Sequence, residues 1–538
     1  MITPATSPNL RDIEPLRLTL QTQLDAAKTQ EARNRLGQFA TPTALATDIM
    51  TCARGMLPDS EVIRFLDPAF GTGSFYSALT RVFPPGRVAR ATGFEIDPHY
   101  GQQAQQLWQT TSLRLELADF TRVTPPTVDD ERVNLLICNP PYVRHHHIPA
   151  DQKARLLALV RQETGIQLNG LAGLYCYFML LSHPWMADGG LAGWLIPSEF
   201  MDVNYGRQVK RYLLEQVTLL RLHRFRPEDV QFCDAMVSSV VVWFKKERPR
   251  PDHVVEFSFG GSLNQPTVTK RIPVGKLSAN AKWTGNSTLA DKADVKSLVD
   301  APLETTLSDL FQIKRGIATG ANDFFVVGVE QAIDLGLPRQ FLTPILPSPR
   351  YLETDEVLAD EEGNPRLKVQ LFLINCGLPE ARVRGEYPTL WRYLQSGQER
   401  GLHQRYLATH RTPWYLQETR PAAPLLCTYM GRQTHDKARP FRFILNHSLA
   451  TAPNVYLMLY PRPLLAAELT REPNLLRSIW RMLNQLPPQA LIGEGRVYGG
   501  GLHKIEPAEL ANTPVDGIMR LTPAISQNLS KQLSLFSV

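Results

Sequence analysis

The sequence predicts an α/β chain, with a Rossmann-like, nucleotide-binding sheet in its first half and a separate α/β region in its second. The first observation is Val62-Ile63-Arg64-Phe65-Leu66, a strand signal that runs into Asp67-Pro68-Ala69-Phe70-Gly71-Thr72-Gly73-Ser74. Strand, glycine turn and helix make the opening βα unit of such a sheet. The second is that three more strand signals, Ala89–Phe94, Leu113–Leu117 and Val133–Cys138, each stop at side chains suited to binding. Ligands of open α/β sheets sit at that carboxyl edge. The third is a change of character after Lys246, where Glu247-Arg248-Pro249-Arg250-Pro251-Asp252 reads as a linker.

The strand ends come in a chemically ordered series. Asp67 to Gly73 offers small residues and open backbone, but without Gly-Lys-Ser/Thr it is no phosphate loop, and Tyr76 stands where a dinucleotide fingerprint needs its third glycine. Glu95-Ile96-Asp97 places a carboxylate where it can accept both hydroxyls of a ribose. Asp119 can accept from an adenine amine, with Phe120 covering the ring. Asn139-Pro140-Pro141-Tyr142 ends the fourth strand, because neither proline can donate to a ladder. What remains there is an amide side chain, an unpaired carbonyl and an aromatic face. Those groups hold a planar amine.

Composition bounds the rest. The 538 residues exceed one ordinary domain, and 43% hydrophobic with 20% charged residues is globular. No apolar run approaches a membrane span, and the N-terminus with Asp12 and Glu14 is not a signal peptide. Cys52, Cys138, Cys176, Cys233, Cys376 and Cys427 form no CxxC pair, so a disulfide framework and a zinc site are disfavoured and a reducing cytoplasm fits. The net charge of +6 is concentrated: residues 381–450 hold 11 basic against 4 acidic side chains, interleaved with Trp391, Tyr393, Tyr406, Trp414, Tyr415 and Tyr429. That reads as a nucleic-acid surface or as a solvated face. Arg207, Lys210, Arg211, Arg221, Arg224 and Arg226 carry the same two readings. His145-His146-His147 lies on an extended stretch whose side chains alternate, so metal binding is disfavoured and a mobile loop is expected.

Four segments are expected: an N-terminal helical arm over 1–34, with one polar helix from Arg11 to Arg33 packing through a leucine stripe; a catalytic domain over 35–246; a linker or bridge over 247–305, with short strand signals; and an α/β domain over 306–538. No Asp…Glu-x-Lys nuclease constellation is found, so cleavage is not expected of the chain.

The motif order resembles that of S-adenosylmethionine-dependent DNA adenine-N6 methyltransferases of the gamma class, found in restriction-modification systems. Gly37-Gln38-Phe39-Ala40-Thr41-Pro42 looks like the family's N-terminal cofactor motif, Asp67 to Phe75 its glycine-rich motif and Asn139 to Tyr142 its catalytic motif. Tyr175 to Gly190 looks like its long helix ending in a glycine pair, Leu191 to Phe200 the strand and turn after it, and Phe232 to Phe244 its last hairpin. The likeness is dense over 35–245 and returns at Lys314 to Asn322 and Tyr498 to Lys504, which look like the opening and closing segments of the recognition domain. Phe70 departs from it, since Cys is more usual there. The resemblance implies a class I methyltransferase sheet of seven strands, with one antiparallel hairpin, followed by a DNA-recognition domain.

It also implies residue roles. Asp67 anchors the glycine turn and Thr41 and Pro42 close over the cofactor's methionine part. Glu95 binds the ribose, Ile96 and Phe120 sandwich the adenine and Asp119 accepts from its amine. Phe39, Pro68, Ala69, Phe70, Gly71, Gly73 and Asn139 line the same site. Asn139 and Pro140, followed by Pro141, accept the hydrogens of the target amine, while Tyr142 and Phe232 stack on a flipped-out base. Phe232 alone also reads as an ordinary core residue. Arg144, Arg405, Arg411, Arg432 and Arg442 are the DNA-contacting candidates. The implied partners are S-adenosylmethionine, duplex DNA and a separately encoded endonuclease acting on the same site, with the chain working as a monomer and without a metal. The alternatives are a modification subunit of a multi-subunit system, an RNA or protein amine methyltransferase sharing the same four residues, and a non-catalytic DNA-binding module.

Overall fold

The computed structural model describes residues 13–84, 86–226, 238–284, 305–432, 439–492, 494–498, 501–515 and 518. The chain divides into two compact units, Met1–Ala293 with Tyr498–Gly500 and Asp294–Val497 with Gly501–Val538. Both the arm and the segment after Lys246 therefore belong with the first unit, where four separate segments were expected. No helix among the described residues is long and apolar enough to cross a membrane.

Among the described residues, the first unit is built on a nine-stranded sheet in the order β3-β2-β1-β4-β5-β7-β6-β8-β9. The strands are β1 (Ile63–Asp67), β2 (Val88–Glu95), β3 (Leu113–Leu117), β4 (Val133–Cys138), β5 (Met186–Pro197), β6 (Thr218–Arg224), β7 (Ser239–Lys245), β8 (Val254–Gly261) and β9 (Pro266–Pro273). The first five in spatial order run parallel, and β7 lies antiparallel between β5 and β6. Seven strands follow the expected class I methyltransferase pattern. The other two extend it: β8 pairs parallel with β6, and β9 closes the edge antiparallel to β8. The alternation of Val255 and Phe257 with polar neighbours gives β8 an inward face, and both side chains are fully buried.

The central strand shows why the sheet forms. All six residues of β4 are buried, with Leu135 and Ile137 in the core on one face and Leu136 and Cys138 in the core on the other. Successive strand side chains point to opposite faces, so a strand covered by helices on both sides reads as an unbroken apolar run. Helices α3 (Thr43–Met56), α4 (Ser74–Val82) and α5 (Pro98–Trp108) supply one cover. Helices α6 (Ala150–Thr164), α7 (Leu174–Leu181) and α8 (Gly206–Glu215) supply the other. The helix expected over Tyr175 to Gly190 stops at Leu181, because Pro184 allows only a short 3₁₀ turn before β5 begins. The glycine pair is in the strand.

The arm also differs from expectation. It is two helices, α1 (Ile13–Ala26) and α2 (Gln30–Leu36), and Leu16 and Leu18 are exposed. The buried positions of α1 are Ile13, Glu14, Arg17 and Leu24. Its docking face is half polar, where a leucine stripe was predicted.

The second unit holds a five-stranded sheet whose strands run Phe311–Arg315, Tyr456–Pro461, Leu425–Thr428, Phe443–Asn446 and Glu356–Val357 from edge to edge. Alternate residues feed two cores, Leu425, Cys427 and Phe443 on one face and Leu426, Ile444 and Met458 on the other. A third core gathers Phe324, Phe325 and Trp414 beside the helix Pro388–Glu399.

Candidate active site

Asn139 follows β4 directly, and its amide is fixed by the segment that precedes α3. Its Nδ2 donates to the Phe39 carbonyl at 2.9 Å and to Thr41 Oγ1 at 3.1 Å. A carbonyl only accepts, so the Phe39 bond sets which end of the amide is which. The other end, Oδ1, is buried and has no hydrogen-bond partner among the described residues. An unmatched buried acceptor costs free energy, and such a group calls for a reason.

Tyr142 completes the joint. Its hydroxyl donates to the Leu195 carbonyl of β5 at 3.1 Å, its N–H donates to the Gly37 carbonyl at 3.2 Å, and its ring lies 5.8 Å from that of Phe39. Gly37 has φ +65°, and a Cβ there would stand 2.4 Å from the Tyr142 nitrogen. The 37–42 segment and the Asn-Pro-Pro-Tyr turn are thus keyed together through backbone that admits no side chain. Tyr142 is consequently buried rather than presenting an open ring face. Pro140 is buried and Pro141 half-buried beside it, Thr41 is buried and Pro42 exposed.

The other strand ends assemble alongside. Glu95 is nearly buried and accepts from the Gly71 N–H and the Asp97 N–H, both at 2.8 Å, which ties the glycine turn to the end of β2. Burial raises its carboxyl, against the pull of those N–H groups. Asp67 is wholly buried, accepting from Ala69 N–H at 3.2 Å, and burial with the nearby Glu95 charge pushes it up to about 8. Gly71 has φ +58°, and a Cβ there would meet open space, so a ligand can approach its backbone. Ile96 is 65% exposed, an apolar side chain left bare beside Glu95.

Three residues expected to contact the cofactor have protein partners of their own. The Phe70 ring packs inward, against the places where Gly73 and Gly93 would carry a Cβ. Phe120 is 3% exposed and sits among Phe94, Phe178 and Trp185 at 5.4–5.7 Å. Of the adenine sandwich, then, Ile96 is open and Phe120 is core. Asp119 Oδ1 caps the next turn, accepting from the N–H and hydroxyl of Thr121 at 2.9 and 2.7 Å. Pro68 is buried and Ala69 half-buried within the turn. Phe232 lies outside the described residues.

Sequence reasoning missed the residues behind these loops. Trp108 Nε1 donates to the Thr72 carbonyl at 2.9 Å, Arg17 NH1 donates to Thr72 Oγ1 at 3.0 Å, and Gln38 Nε2 donates to Asp97 at 2.7 Å. Nothing local in the sequence marks them, since each partner is dozens of positions away. The Asp67 carboxyl has a testable consequence. The folded chain holds its proton far more tightly than an unfolded one, so its contribution to stability is full below pH 3.8 and is lost as pH rises through about 8. Denaturant unfolding of the ligand-free chain across that range is expected to show falling stability, and Asp67→Asn a flatter profile. An unchanged slope in the variant would assign the effect elsewhere.

Two family models match the chain: the Eco57I restriction-modification methylase over residues 95–231, and the C-terminal domain of the Type II methyltransferase M.Eco57I over residues 280–535. Over these two stretches the chain is similar to the Eco57I restriction-modification methylases. Among curated relatives, the Type II methyltransferase M.XamI of Xanthomonas campestris pv. amaranthicola is 28% identical over 90% of this chain and 86% of its own length. M.AccI of Acinetobacter calcoaceticus, also a Type II methyltransferase, is 25% identical over 89% and 85%. Among solved structures, the Type IIL restriction-modification enzyme MmeI, determined in complex with DNA, is similar in fold, with a TM-score of 0.50 and 13% identity. The likeness covers 85% of this chain but 63% of that one, so the chain spans less than two thirds of that enzyme.

The basic candidates separate by what they touch. Arg442 is engaged with Asp355 and the carbonyls of Pro349 and Leu352, and Arg411 with the carbonyls of Ala318 and Thr319 and the Gln417 side chain. Both are braces of the second unit. Arg405 is exposed and donates to the Gly320 carbonyl, and Arg432 and Arg144 are exposed. The interleaved aromatics are largely internal: Trp414, Tyr415 and Tyr429 are buried and Tyr393 stacks on Phe324, while Tyr406 is exposed. The basic run of the first unit is split: Arg207, Arg211 and Arg226 are exposed, while Arg224 is buried. Lys210 is buried against the carbonyls of Met201 and Ala281, which lowers it to about 8, and Arg221 pairs with Glu256 at 3.0 Å. The three histidines form an outer 3₁₀ turn, and no group of potential metal ligands exists among the described residues.

Proposed function

We propose that this chain transfers a methyl group from S-adenosylmethionine to the N6 amine of an adenine flipped out of duplex DNA, as the protective half of a restriction-modification system. The observation that carries the reading is the buried, unpartnered Oδ1 of Asn139, held by Phe39 and Thr41 at the carboxyl end of β4. An adenine amine has two hydrogens and a lone pair delocalised into the ring. Accepting one hydrogen at Asn139 Oδ1 and the other at the Pro140 carbonyl draws the nitrogen towards a tetrahedral, nucleophilic form. The acceptor's orientation is set before the base arrives, which is electrostatic preorganisation.

The residues present fit the cofactor. Gly71 leaves its backbone open, Ile96 offers a bare apolar face for an adenine, and Glu95 stands beside both to receive ribose hydroxyls. When bound, S-adenosylmethionine supplies an electrophilic methyl that needs no further activation. The chain's own contribution is to bind, to align and to hold the target amine. Extracting that base from the duplex costs a few kcal/mol, and Tyr142, three residues after the acceptor, is the aromatic proposed to stack on it.

The test is transfer from labelled cofactor to duplex DNA by the chain alone, followed by nucleoside analysis. N6-methyladenine is the expected product. Label on cytosine, on RNA or on protein, or a need for an added subunit, would each replace the proposal with a named alternative.

The second unit is the proposed DNA reader, and its exposed arginines give the measurement. Arg405→Glu and Arg432→Glu are expected to weaken binding of every duplex and to lower the log–log salt slope by about 0.9 per lost phosphate contact. Arg411→Glu and Arg442→Glu are expected to destabilise the fold instead, since their partners are internal. Unchanged salt slopes for the exposed pair would move the DNA contact off this surface.

A further inference from the structure

The residues read above as the cofactor site lie on three loops, 37–42, 71–73 and 95–97, and the N-terminal arm reaches all three. Arg17 of α1 is 1% exposed and doubly bonded to Glu14, at 2.8 and 2.7 Å, and its remaining arm donates to Thr72 between the two glycines. Glu14 in turn accepts from Thr43, next to the 37–42 loop, and from Ser77, one turn after the glycines. Burial alone would raise that carboxyl, but the bonds from Arg17, Ser77 and Thr43 outweigh it and hold it down to about 2. Lys28, just after α1, reaches Asp97 and lies 3.3 Å from the Gln38 side chain, while Gln38 also donates to Asp97.

A helix that docked only for stability would do as well, or better, with apolar side chains. A buried ion pair rarely outperforms them, because both charges must be stripped of water. Here α1 leaves Leu16 and Leu18 exposed and buries the ion pair. The hydrogen bonds of that pair end on hydroxyls flanking the ligand loops. The polar face therefore sets where those loops stand.

We infer that the N-terminal arm is part of the cofactor site, with Arg17 and Lys28 as positioning residues: Arg17 sets the glycine turn through Thr72, and Lys28 latches the 95–97 turn to the 37–42 loop. The inference rests on the S-adenosylmethionine reading of those loops. Neither residue touches the reacting atoms, so the expected signature is in KM rather than kcat.

The experiment uses the full chain in three variants. Glu14→Leu with Arg17→Met removes both charges together and leaves neither unpaired; Lys28→Met opens the half-exposed latch; Glu95→Ala removes the proposed ribose acceptor. For both arm variants, KM and Kd for S-adenosylmethionine are expected to rise about tenfold, the scale of one charge-assisted hydrogen bond. Turnover at saturating cofactor and DNA affinity without cofactor should stay near wild type, and Lys28→Arg should restore the cofactor KM. If Glu95→Ala weakens cofactor binding and neither arm variant does, the arm is mere packing and the inference is overturned. It is overturned equally if the arm variants lose cofactor and DNA affinity in proportion. If Glu95→Ala leaves cofactor affinity unchanged, the cofactor reading of these loops is what fails. Should the double variant not fold, Lys28→Met with its Arg rescue decides alone.

Discussion

Asn139→Ala is expected to fold and to bind cofactor, yet to methylate DNA roughly 10²–10³ times more slowly, the scale for deleting one preorganised polar group. Its Oδ1 is already buried and unpaired, so the native site bears the cost of that acceptor before any substrate arrives. Removing the side chain relieves the fold of an unmatched group, which offsets the lost bonds to Phe39 and Thr41, and takes away one of the two acceptors proposed for the amine. Stability should therefore hold while the chemical step collapses. Asn139→Asp sharpens the test. A carboxylate keeps an acceptor but, like alanine, cannot donate to the Phe39 carbonyl, so the two variants differ in the acceptor and share the loosened 37–42 segment. Single-turnover methylation with cofactor and duplex both saturating separates these effects from binding. A near wild-type rate for the alanine variant would remove Asn139 from the chemistry.

Gly37→Ala should be nearly as damaging, although the change is one methyl group. At φ +65° an alanine is disfavoured by about 1–2 kcal/mol. The larger effect is steric: the new Cβ would be 2.4 Å from the Tyr142 nitrogen and 2.7 Å from its carbonyl carbon, and neither is a flexible side-chain end. Either the 37–42 segment or the Asn-Pro-Pro-Tyr turn must shift. A displacement of about 1 Å in a reacting geometry costs about 10²-fold in rate. The expected result is a fall of that order in kcat, with Asn139 losing its hold on Phe39 and Thr41. A variant with native kcat would show that the two segments are less tightly keyed than their contact implies.

Much of the first unit was legible because its signals are local. The run Val133 to Cys138 announces a strand covered on both faces, and the prolines after Asn139 fix where it ends. Glu95, Asp119 and the glycine turn were readable by the same logic, as the residues that interrupt strand patterns. What escaped depends on partners far away in the chain. Phe70 and Phe120 stand in the cofactor motifs, and only the assembled core shows their rings packed against other protein groups. The polar helix was expected to pack through leucines, whereas Glu14 accepts from the hydroxyls of Thr43 and Ser77 and Arg17 donates to that of Thr72. Arg411 and Arg442 were counted by charge, which records nothing of the carbonyls they brace. The strand signals after residue 252 were visible, but the parallel pairing of β8 with β6 joins segments some thirty-five positions apart, as in Arg221 with Glu256.

The extra pair of strands bears on how such chains can be recombined. The charged proline run at 247–252 looks like the natural joint for exchanging the second unit between relatives. A cut there would strip β6 of its neighbour and uncover Val255 and Phe257. It would also part Lys210 from the Ala281 carbonyl and from Trp283, which is wholly buried with its ring edge-on to Phe257. The module that travels intact extends at least to Thr284, whose hydroxyl closes on Asp202. Chimeras joined beyond that residue inherit a finished sheet; those joined at the prolines inherit a raw edge, and raw edges aggregate.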